Sequence, residues 1–306
     1  MSPLPKVAVL LAAYNGALWI EEQLASIQGQ QGVSITIFIS VDDSTDDTLA
    51  LCRRYQKLHS NVEVLTPAGP FGGAARNFFH LLKTVNISGF DFIAFSDQDD
   101  RWNSDKLSRA TTRLMRHGES AYSSNVTAFW PDGRRVLLDK AQPQVRWDYL
   151  FEAAGPGCTY VLSRSFAVRL QSEVHNRWVK LQGVTLHDWY IYAFARSHGY
   201  SWYIDPVSSM DYRQHPANLI GANVGSRSLV ARYAKVKSGW WFAQVRLIVR
   251  LVGMEQDPWV ATWLTLGRRQ MLTLARFADQ CRRRRRDQLY FRGLCLAVLL
   301  VGSEPA

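Results

Sequence analysis

The sequence predicts an α/β fold in which a mainly parallel sheet carries helices on both faces. Short apolar runs alternate with segments of helical periodicity over residues 7–116. Repeated strand–helix units favour parallel strands, because each helix returns the chain to the starting edge of the sheet. A chain of 306 residues can bury a substantial core, as one large domain or two smaller ones.

Four strand–helix units can be placed in order. Each predicted strand is a short apolar run, and the four lie at residues 7–13, 35–41, 62–65 and 90–95. The helices that follow them show apolar residues at helical spacing, at residues 18–30, 46–58, 74–85 and 104–116. Acidic residues in the first turn of the second helix suit its dipole, which supports that assignment.

The pattern changes after residue 121. A hairpin is predicted over residues 127–138, around the turn formed by Pro131, Asp132 and Gly133. Further segments are a strand at 158–162, a helix at 165–175, and two long helices at 236–252 and 259–280. We therefore divide the chain into an α/β domain, residues 1–225, and a helical tail, residues 226–306.

The tail carries the charge. Residues 226–306 contain 15 Lys and Arg against 5 Asp and Glu, so the whole formal net charge of +10 lies there. Arg282–Arg286 is a run of arginines, and Trp240, Trp241, Trp259 and Trp263 precede it. Basic residues and aromatics on helices suit an anionic membrane surface. A solvated helix face and a nucleic-acid contact are the alternatives, but no nucleic-acid motif accompanies the arginines, so no nucleic-acid partner is expected.

Composition points to a reducing compartment. The four cysteines have neither the spacing of a zinc or redox pair nor the density of a disulfide scaffold. The N-terminus lacks the charge layout of a signal peptide, and no run reaches the roughly 18 apolar residues of a membrane span. We expect a cytoplasmic protein held peripherally at the inner face of the cytoplasmic membrane.

The segment Asp97–Asp100 places three carboxylates directly after a buried strand. Their mutual repulsion is costly, and Mg²⁺ or Mn²⁺ would relieve it, since both prefer oxygen ligands and bridge carboxylates to substrate phosphates. The alternative is a solvated acidic turn before the next helix. The pattern therefore indicates metal-assisted phosphate chemistry without establishing it.

Polar residues also follow the other three predicted strands. Tyr14 is placed to stack on a base, and Asn15 either binds ribose or phosphate or caps the first helix. Asp42 is placed to accept hydrogen bonds from a base or ribose, and Arg76, after a Gly-rich turn, to bind phosphate. Because parallel strands end at one edge of a sheet, these groups should converge with Asp97 and Asp99.

Taken together, these segments resemble the bacterial family-2 glycosyltransferases. The similarity lies closest to the rhamnosyltransferase-like branch that builds lipopolysaccharide and related surface glycans, and it covers about residues 5–225. The segments that carry it are AAYNG at 12–16, EQLxSIxxQ at 22–30, DxSTD at 42–46 and SDQDDxW at 96–102. The resemblance implies a GT-A fold, Rossmann-like in its sheet, and a nucleotide-sugar donor bound through Mg²⁺ or Mn²⁺.

The resemblance also implies roles for individual residues. Asp97 matches the acidic residue near the ribose and metal, and Asp99 matches the metal-binding carboxylate. His215 is a further candidate ligand for the metal or a phosphate, with a structural histidine as the alternative. The implied donor-binding residues are Ala13, Tyr14, Asn15, Asp42, Arg76, Asp97, Gln98 and Arg213. Val41 and Asp43 depart from the family's Asp-Asp-Gly loop, so the base contact is either Asp42 or Asp43.

The segment His187-Asp188-Trp189 resembles the family's acidic motif before a helix, which supplies the catalytic base. Asp188 would take the acceptor proton as the hydroxyl oxygen attacks C1 with inversion. The alternative for Asp188 is a structural charge at a helix start. Trp102, His187 and Trp189 are candidate acceptor contacts, and core packing is the alternative for the two tryptophans.

The branch implies dTDP-L-rhamnose as donor, with UDP- and GDP-sugars left open. The expected acceptor is a hydroxyl of a lipopolysaccharide core, O-antigen or other lipid-linked glycan. One alternative is a nucleotidyltransferase acting on a sugar phosphate, although the loop after the first strand lacks the Gly-rich, basic character that such enzymes need. The other is a non-catalytic protein that binds glycan or nucleic acid.

Overall fold

The computed structural model describes residues 3–215 and 239–301. Within these stretches nine strands form one sheet, and helices cover both of its faces. The domain boundary predicted at residues 225 and 226 lies outside the described residues, as do the first residues of the helix predicted at 236–252.

The elements follow the chain in a regular order. The strands are β1 Lys6–Ala13, β2 Ser34–Val41, β3 Val62–Val64, β4 Phe92–Ser96, β5 Arg101–Trp102, β6 Ala121–Phe129, β7 Arg135–Leu138, β8 Val161–Ser163 and β9 Trp202–Arg213. The helices are α1 Ile20–Gln28, α2 Thr48–Leu58, α3 Ala74–Thr84, α4 Lys106–His117, α5 Arg164–Asn176, α6 Trp178–Leu181, α7 His187–Ser197, α8 Trp240–Leu251, α9 Pro258–Ala261, α10 Gln270–Arg276, α11 Ala278–Cys281 and α12 Arg285–Val301.

The first half of the sheet is parallel, in the order β3-β2-β1-β4. All four strands lie where the sequence predicted them, to within two residues at each end. The register pairs Ala13 with Val41 and Leu11 with Ser96, so β1, β2 and β4 end at nearly the same level. The loops after these strands therefore share one edge of the sheet.

The second half of the sheet is mixed and continues β8-β6-β9-β5, with β7 on β6. Strand β8 runs antiparallel to β4 and to β6, whereas β9 runs parallel to β6. The predicted hairpin is confirmed, since β6 and β7 pair Phe129 with Arg135 across the turn. Strands β5 and β9 were not predicted. The mainly parallel character thus belongs to the N-terminal half.

Successive side chains of β1 point to opposite faces of the sheet and enter two separate apolar layers. Ala8, Leu10 and Ala12 enter one layer, and Val7, Val9, Leu11 and Ala13 enter the other. The second layer is covered by α1, α2 and α4, and the first by α3, α5, α7 and the C-terminal helices. A sheet buried on both faces explains why its parallel strands read as continuous apolar runs.

The single helix predicted at residues 259–280 is wrong. The chain forms three short helices there, α9, α10 and α11. Leu266 lies between the first two and adopts a φ of 53°, a left-handed backbone conformation that no α-helix can continue through. Apolar periodicity predicted the buried face correctly but could not reveal this break.

The C-terminal helices pack on the N-terminal domain and share its core. Trp263 is fully buried 5.1 Å from Phe151, and Trp259 stacks on Trp147 at 4.8 Å between ring centroids. Arg283, inside the arginine run, is buried and donates to the buried carboxylate of Asp148 at 3.0 Å. Trp263 and Arg283, two of the residues that suggested a membrane surface, are therefore internal.

Over residues 3–215 and 239–301, no helix is both long enough and apolar enough to cross a membrane.

Candidate active site

The loop after β1 is held by Gln98. The backbone N–H of Tyr14 donates to Gln98 Oε1 at 2.6 Å, and Gln98 Nε2 donates back to the Tyr14 carbonyl at 2.7 Å. A Cβ on Gly16 would lie 2.2 Å from Gln98 Oε1, so any larger residue there would displace the carboxamide. Gln98 therefore fixes the loop, and the Tyr14 ring stays 54% exposed, free to meet a ligand.

The loops after β1 and β2 are joined to each other. Asn15, with a φ of 47°, accepts from the Thr45 backbone N–H at 2.8 Å and donates its own N–H to Ser44 Oγ at 3.1 Å. Trp19, not Asn15, precedes the first residue of α1, so the helix-cap alternative for Asn15 is wrong. Ala13 is buried at the end of β1, and its carbonyl accepts from the Asp42 N–H at 2.8 Å.

Asp42 and Asp43 differ sharply in environment. Asp42 is buried, and its carboxylate accepts from the backbone N–H groups of Phe71 at 2.7 Å and Gly72 at 3.2 Å. Asp43 is exposed. Asp42 thus fastens the segment before α3 to the end of β2, while Asp43 faces solvent beside it.

Arg76 in the first turn of α3 bridges two loops. Its Nε donates to the Gln182 carbonyl at 2.9 Å and its Nη1 to the Phe71 carbonyl at 3.2 Å. Gln182 precedes α7, so this arginine links the donor-side loop to the approach of Asp188. The phosphate contact expected of Arg76 stays a prediction.

The acidic segment after β4 meets the end of β9. His215 Nε2 lies 2.7 Å from Asp99 Oδ2, and the His215 ring stacks on Trp19 at 4.0 Å. Arg213 Nε donates to the Asp99 carbonyl at 2.7 Å, and its guanidinium also pairs with Glu22. Asp99 and His215, residues 116 positions apart, are therefore neighbours, and Arg213 shapes the segment through its backbone.

Asp97 has an unusual electrostatic environment. Burial, together with the carboxylates of Asp99 and Asp188, raises its pKa to about 7. Groups of like charge that share a buried space disfavour ionisation of one another. Gly157 lies against Asp188, and the next residue, Cys158, lies within 4.8 Å of Asp97, so the acidic segment and the start of α7 face the same space.

Further polar side chains surround Asp100, the last residue of the acidic segment. Asp100 is fully buried, accepts from the Arg213 N–H at 3.1 Å and lies with Asp97 and the Cys158 thiol within 4.8 Å. Lys106 is also fully buried, with its Nζ 3.8 Å from the Trp102 ring centroid. Burial lowers the Lys106 pKa to about 8. Sequence reasoning missed Lys106 and Cys158, because neither belongs to a motif.

Carboxylate oxygens at this edge of the sheet are of the kind that Mg²⁺ and Mn²⁺ prefer. In the part of the chain that the structure describes, one set of possible ligand atoms lies within 4.8 Å, the carboxylates of Asp97 and Asp100 with the Cys158 thiol. Asp99 contacts His215 at 2.7 Å, and a joint metal site of Asp97, Asp99 and His215 stays a prediction. Burial, then the carboxylates of Asp100 and Asp97, raise the pKa of the Cys158 thiol well above its ordinary value. A protonated thiol is a poor ligand, which argues against a soft-metal site.

Asp188 is the second residue of α7. Its carboxylate accepts from the Trp189 N–H at 2.7 Å, which satisfies one free amide of the helix start. Burial raises its pKa to about 6, against the lowering effects of that hydrogen bond and of Lys140. Asp188 thus has the structural role at a helix start that the sequence offered as the alternative, and its role as catalytic base stays a prediction.

The three residues expected to contact the acceptor are buried. Trp102 packs in the apolar layer that contains Val7 and Leu11. Trp189 donates its indole N–H to the Tyr149 carbonyl at 3.0 Å. The His187 ring packs at a tilt against Phe78, with 4.1 Å between ring centroids, and burial lowers the pKa of His187 to about 3, so the ring is neutral. For the two tryptophans, core packing, the alternative weighed above, is what the structure shows. The expected sugar stacking is not supported.

Comparisons with known proteins agree with this geometry. The family model "Glycosyl transferase family 2" matches residues 8–170. The chain is 43% identical over 281 residues to the dTDP-rhamnosyl transferase RfbG of Shigella flexneri, covering 92% of this chain and 96% of that protein. It is 30% identical over 162 residues to a putative teichuronic acid biosynthesis glycosyltransferase, TuaG, of Bacillus subtilis, covering 52% of this chain and 62% of that protein.

Solved structures show the same fold at low sequence identity. The chain aligns with Staphylococcus aureus TarS 1-349 in complex with UDP-GlcNAc at a TM-score of 0.55 and 13% identity, covering 96% of this chain and 89% of that one. It aligns with the mannosyltransferase PcManGT of Pyrobaculum calidifontis, in complex with GDP-Man and Mn²⁺, at a TM-score of 0.51 and 15% identity, covering 99% and 89%.

The fold and the convergent loops are those of a glycosyltransferase of the GT-A type. The family model and the relative from Shigella flexneri favour a glycosyltransferase over the two alternatives from the sequence, a nucleotidyltransferase and a non-catalytic binding protein. The chain belongs to glycosyl transferase family 2, as the family model and the relative from Shigella flexneri show.

Proposed function

We propose that the protein transfers L-rhamnose from dTDP-L-rhamnose, with inversion, to a hydroxyl of a lipid-linked glycan in lipopolysaccharide or O-antigen assembly. The donor assignment is supported by the 43% identity to a dTDP-rhamnosyl transferase along almost the whole chain. A lipid-linked acceptor would place the enzyme at the inner face of the cytoplasmic membrane.

The observation that carries the mechanism is the closeness of Asp188 to the acidic segment. Asp188 lies against Gly157, and the next residue, Cys158, lies within 4.8 Å of Asp97, so a donor held at Asp97 and Asp99 would have the Asp188 carboxylate near its sugar. Asp188 takes the proton of the acceptor hydroxyl, whose oxygen bonds to C1 from the face opposite the diphosphate. The C1–O bond to the diphosphate breaks, and the nucleoside diphosphate leaves with the bonding electrons.

The donor is held by this chain's own loops. Tyr14 offers an exposed ring to the base, and Asp43, exposed beside the buried Asp42, is the better placed of the two for a base contact. A divalent cation held by Asp97, Asp99 and His215 would neutralise charge on the diphosphate. Arg76 would add a guanidinium contact to the diphosphate.

A donor screen tests the assignment. Purified protein with Mn²⁺ should hydrolyse dTDP-L-rhamnose slowly without acceptor, and faster than it hydrolyses UDP- or GDP-sugars. A preference for another nucleotide-sugar would overturn the donor but leave the enzyme class intact.

Two variants separate binding from chemistry. Asp188→Asn should bind dTDP with Mn²⁺ normally and lose turnover by about 10²–10⁴-fold, the usual contribution of a general base. Asp99→Ala should lose metal-dependent dTDP binding itself, as measured by calorimetry. Normal turnover in the Asp188 variant would reject the proposed base.

A further inference from the structure

Helix α12 presents a stripe of alternating arginine and leucine to solvent. Arg285, Leu289, Arg292 and Leu296 are all exposed, and Leu289 and Leu296 are 65% and 41% exposed. Their spacing of four, three and four residues places them within a narrow arc of one helix face. Single exposed leucines occur elsewhere on the surface, but two within one arc, set between arginines, give this face the composition of a docking surface.

The neighbouring helix extends this surface. Arg292 Nε donates to the Ala275 carbonyl at 3.1 Å, and Arg268 Nε donates to the Leu299 carbonyl at 3.0 Å, so α10 lies antiparallel beside α12. Leu272, on α10 between these two bonds, is 39% exposed, and Arg276 at the end of α10 is exposed as well. The two helices together form a basic surface with exposed leucines.

The stripe differs from the tail features that are already satisfied inside the fold. Arg282 and Arg283 pair with Glu152 and Asp148, and Trp263 is fully buried. Arg284 and Arg285, by contrast, are exposed. Within the arginine run, Arg282 and Arg283 therefore stabilise the fold, whereas Arg284 and Arg285 are available to a partner.

We propose that the α10–α12 surface docks on an anionic lipid bilayer, with its arginines among the headgroups and its leucines in the upper acyl region. Charge complementarity favours this occupant, since each basic residue at an anionic membrane surface adds to binding and apolar side chains supply the rest. Exposed leucines argue against nucleic acid, whose backbone offers them no apolar partner. The inference does not depend on the donor or the acceptor proposed above.

Vesicle cosedimentation of the full chain tests the proposal. The protein should bind vesicles of phosphatidylcholine with phosphatidylglycerol, fail to bind vesicles of phosphatidylcholine alone, and dissociate as salt is raised. Arg285→Glu with Leu289→Ser should weaken binding by at least about tenfold, since one charge reversal alone is worth that much. The matched control is Arg53→Glu with Leu58→Ser, which changes the same residue types on the exposed face of α2.

Several results would overturn the proposal. These are equal binding to neutral vesicles, no binding to anionic ones, or unchanged binding by the α12 variant. Binding of an oligonucleotide instead of vesicles, or a dimer that depends on Leu289 and ignores vesicles, would assign the surface to another partner. Unfolding midpoints check that each variant is folded. If the double variant is not folded, the single change Arg285→Gln takes its place.

Discussion

Replacing Arg283 should destabilise the whole protein, because this residue fastens the C-terminal helices to the N-terminal domain. Its Nη1 donates to Asp148 at 3.0 Å and its Nη2 to the Ala153 carbonyl at 2.7 Å, and both side chains of the ion pair are at most 1% exposed. Removing one partner of a buried pair costs about 3–5 kcal/mol. Arg196 remains 3.1 Å from Asp148, so we expect about 3 kcal/mol for Arg283→Met.

The neighbouring residue supplies the control. Arg284 belongs to the same arginine run but is exposed, so Arg284→Met should change stability by no more than about 0.5 kcal/mol. Urea unfolding followed by tryptophan fluorescence measures both. Adding Asp148→Asn to Arg283→Met should recover part of the loss, since no buried charge is then left without its main partner. Similar midpoints for the two single variants would refute the reasoning.

Three further outcomes are expected. Gly16→Ala should raise the donor KM by displacing Gln98 from the Tyr14 backbone. Gly89→Ala, which has open space at its Cβ, should leave the KM unchanged. Equal KM values for the two variants would argue against a role of the Gln98–Tyr14 hydrogen bonds in donor binding. Turnover with saturating metal should fall about tenfold per unit below pH 6, where Asp188 becomes protonated, and a flat profile would remove Asp188 as the base. The pKa of Asp97 is about 7 in the folded protein against an ordinary 3.8, so between these values the folded protein binds more protons than the unfolded chain, and stability falls as pH rises. Mn²⁺ should therefore raise the melting temperature more above about pH 7 than below about pH 4. An equal rise at both pH values would contradict this.

The parallel half of the fold could be predicted because its signals are local. Each of the four strands is a buried apolar run followed by a helix, and the residues at their ends include Asp97 and Asp99. The mixed half could not be predicted in the same way. Strand β5 has two residues and exists only because Arg101 and Trp102 pair with β9, more than a hundred residues later.

The candidate site shows the same limit. Asp99 and His215 were predicted together because each belongs to a motif of the family. Gln98 was predicted as a donor contact, but its amide holds the Tyr14 backbone, a role that depends on a contact 84 residues away. Tryptophan and arginine in the tail suit a core interface as well as a membrane surface. Composition alone therefore could not show that Trp263 is buried and Leu289 is exposed.

The ion pair between Asp148 and Arg283 has a consequence for biosynthesis. The two residues are 135 positions apart, and the helices around Arg283 cover apolar side chains of the N-terminal domain. While the ribosome is still translating the last quarter of the chain, those side chains lack their cover and are exposed to aggregation. A premature stop before Arg283 should therefore yield an insoluble product rather than a smaller active enzyme.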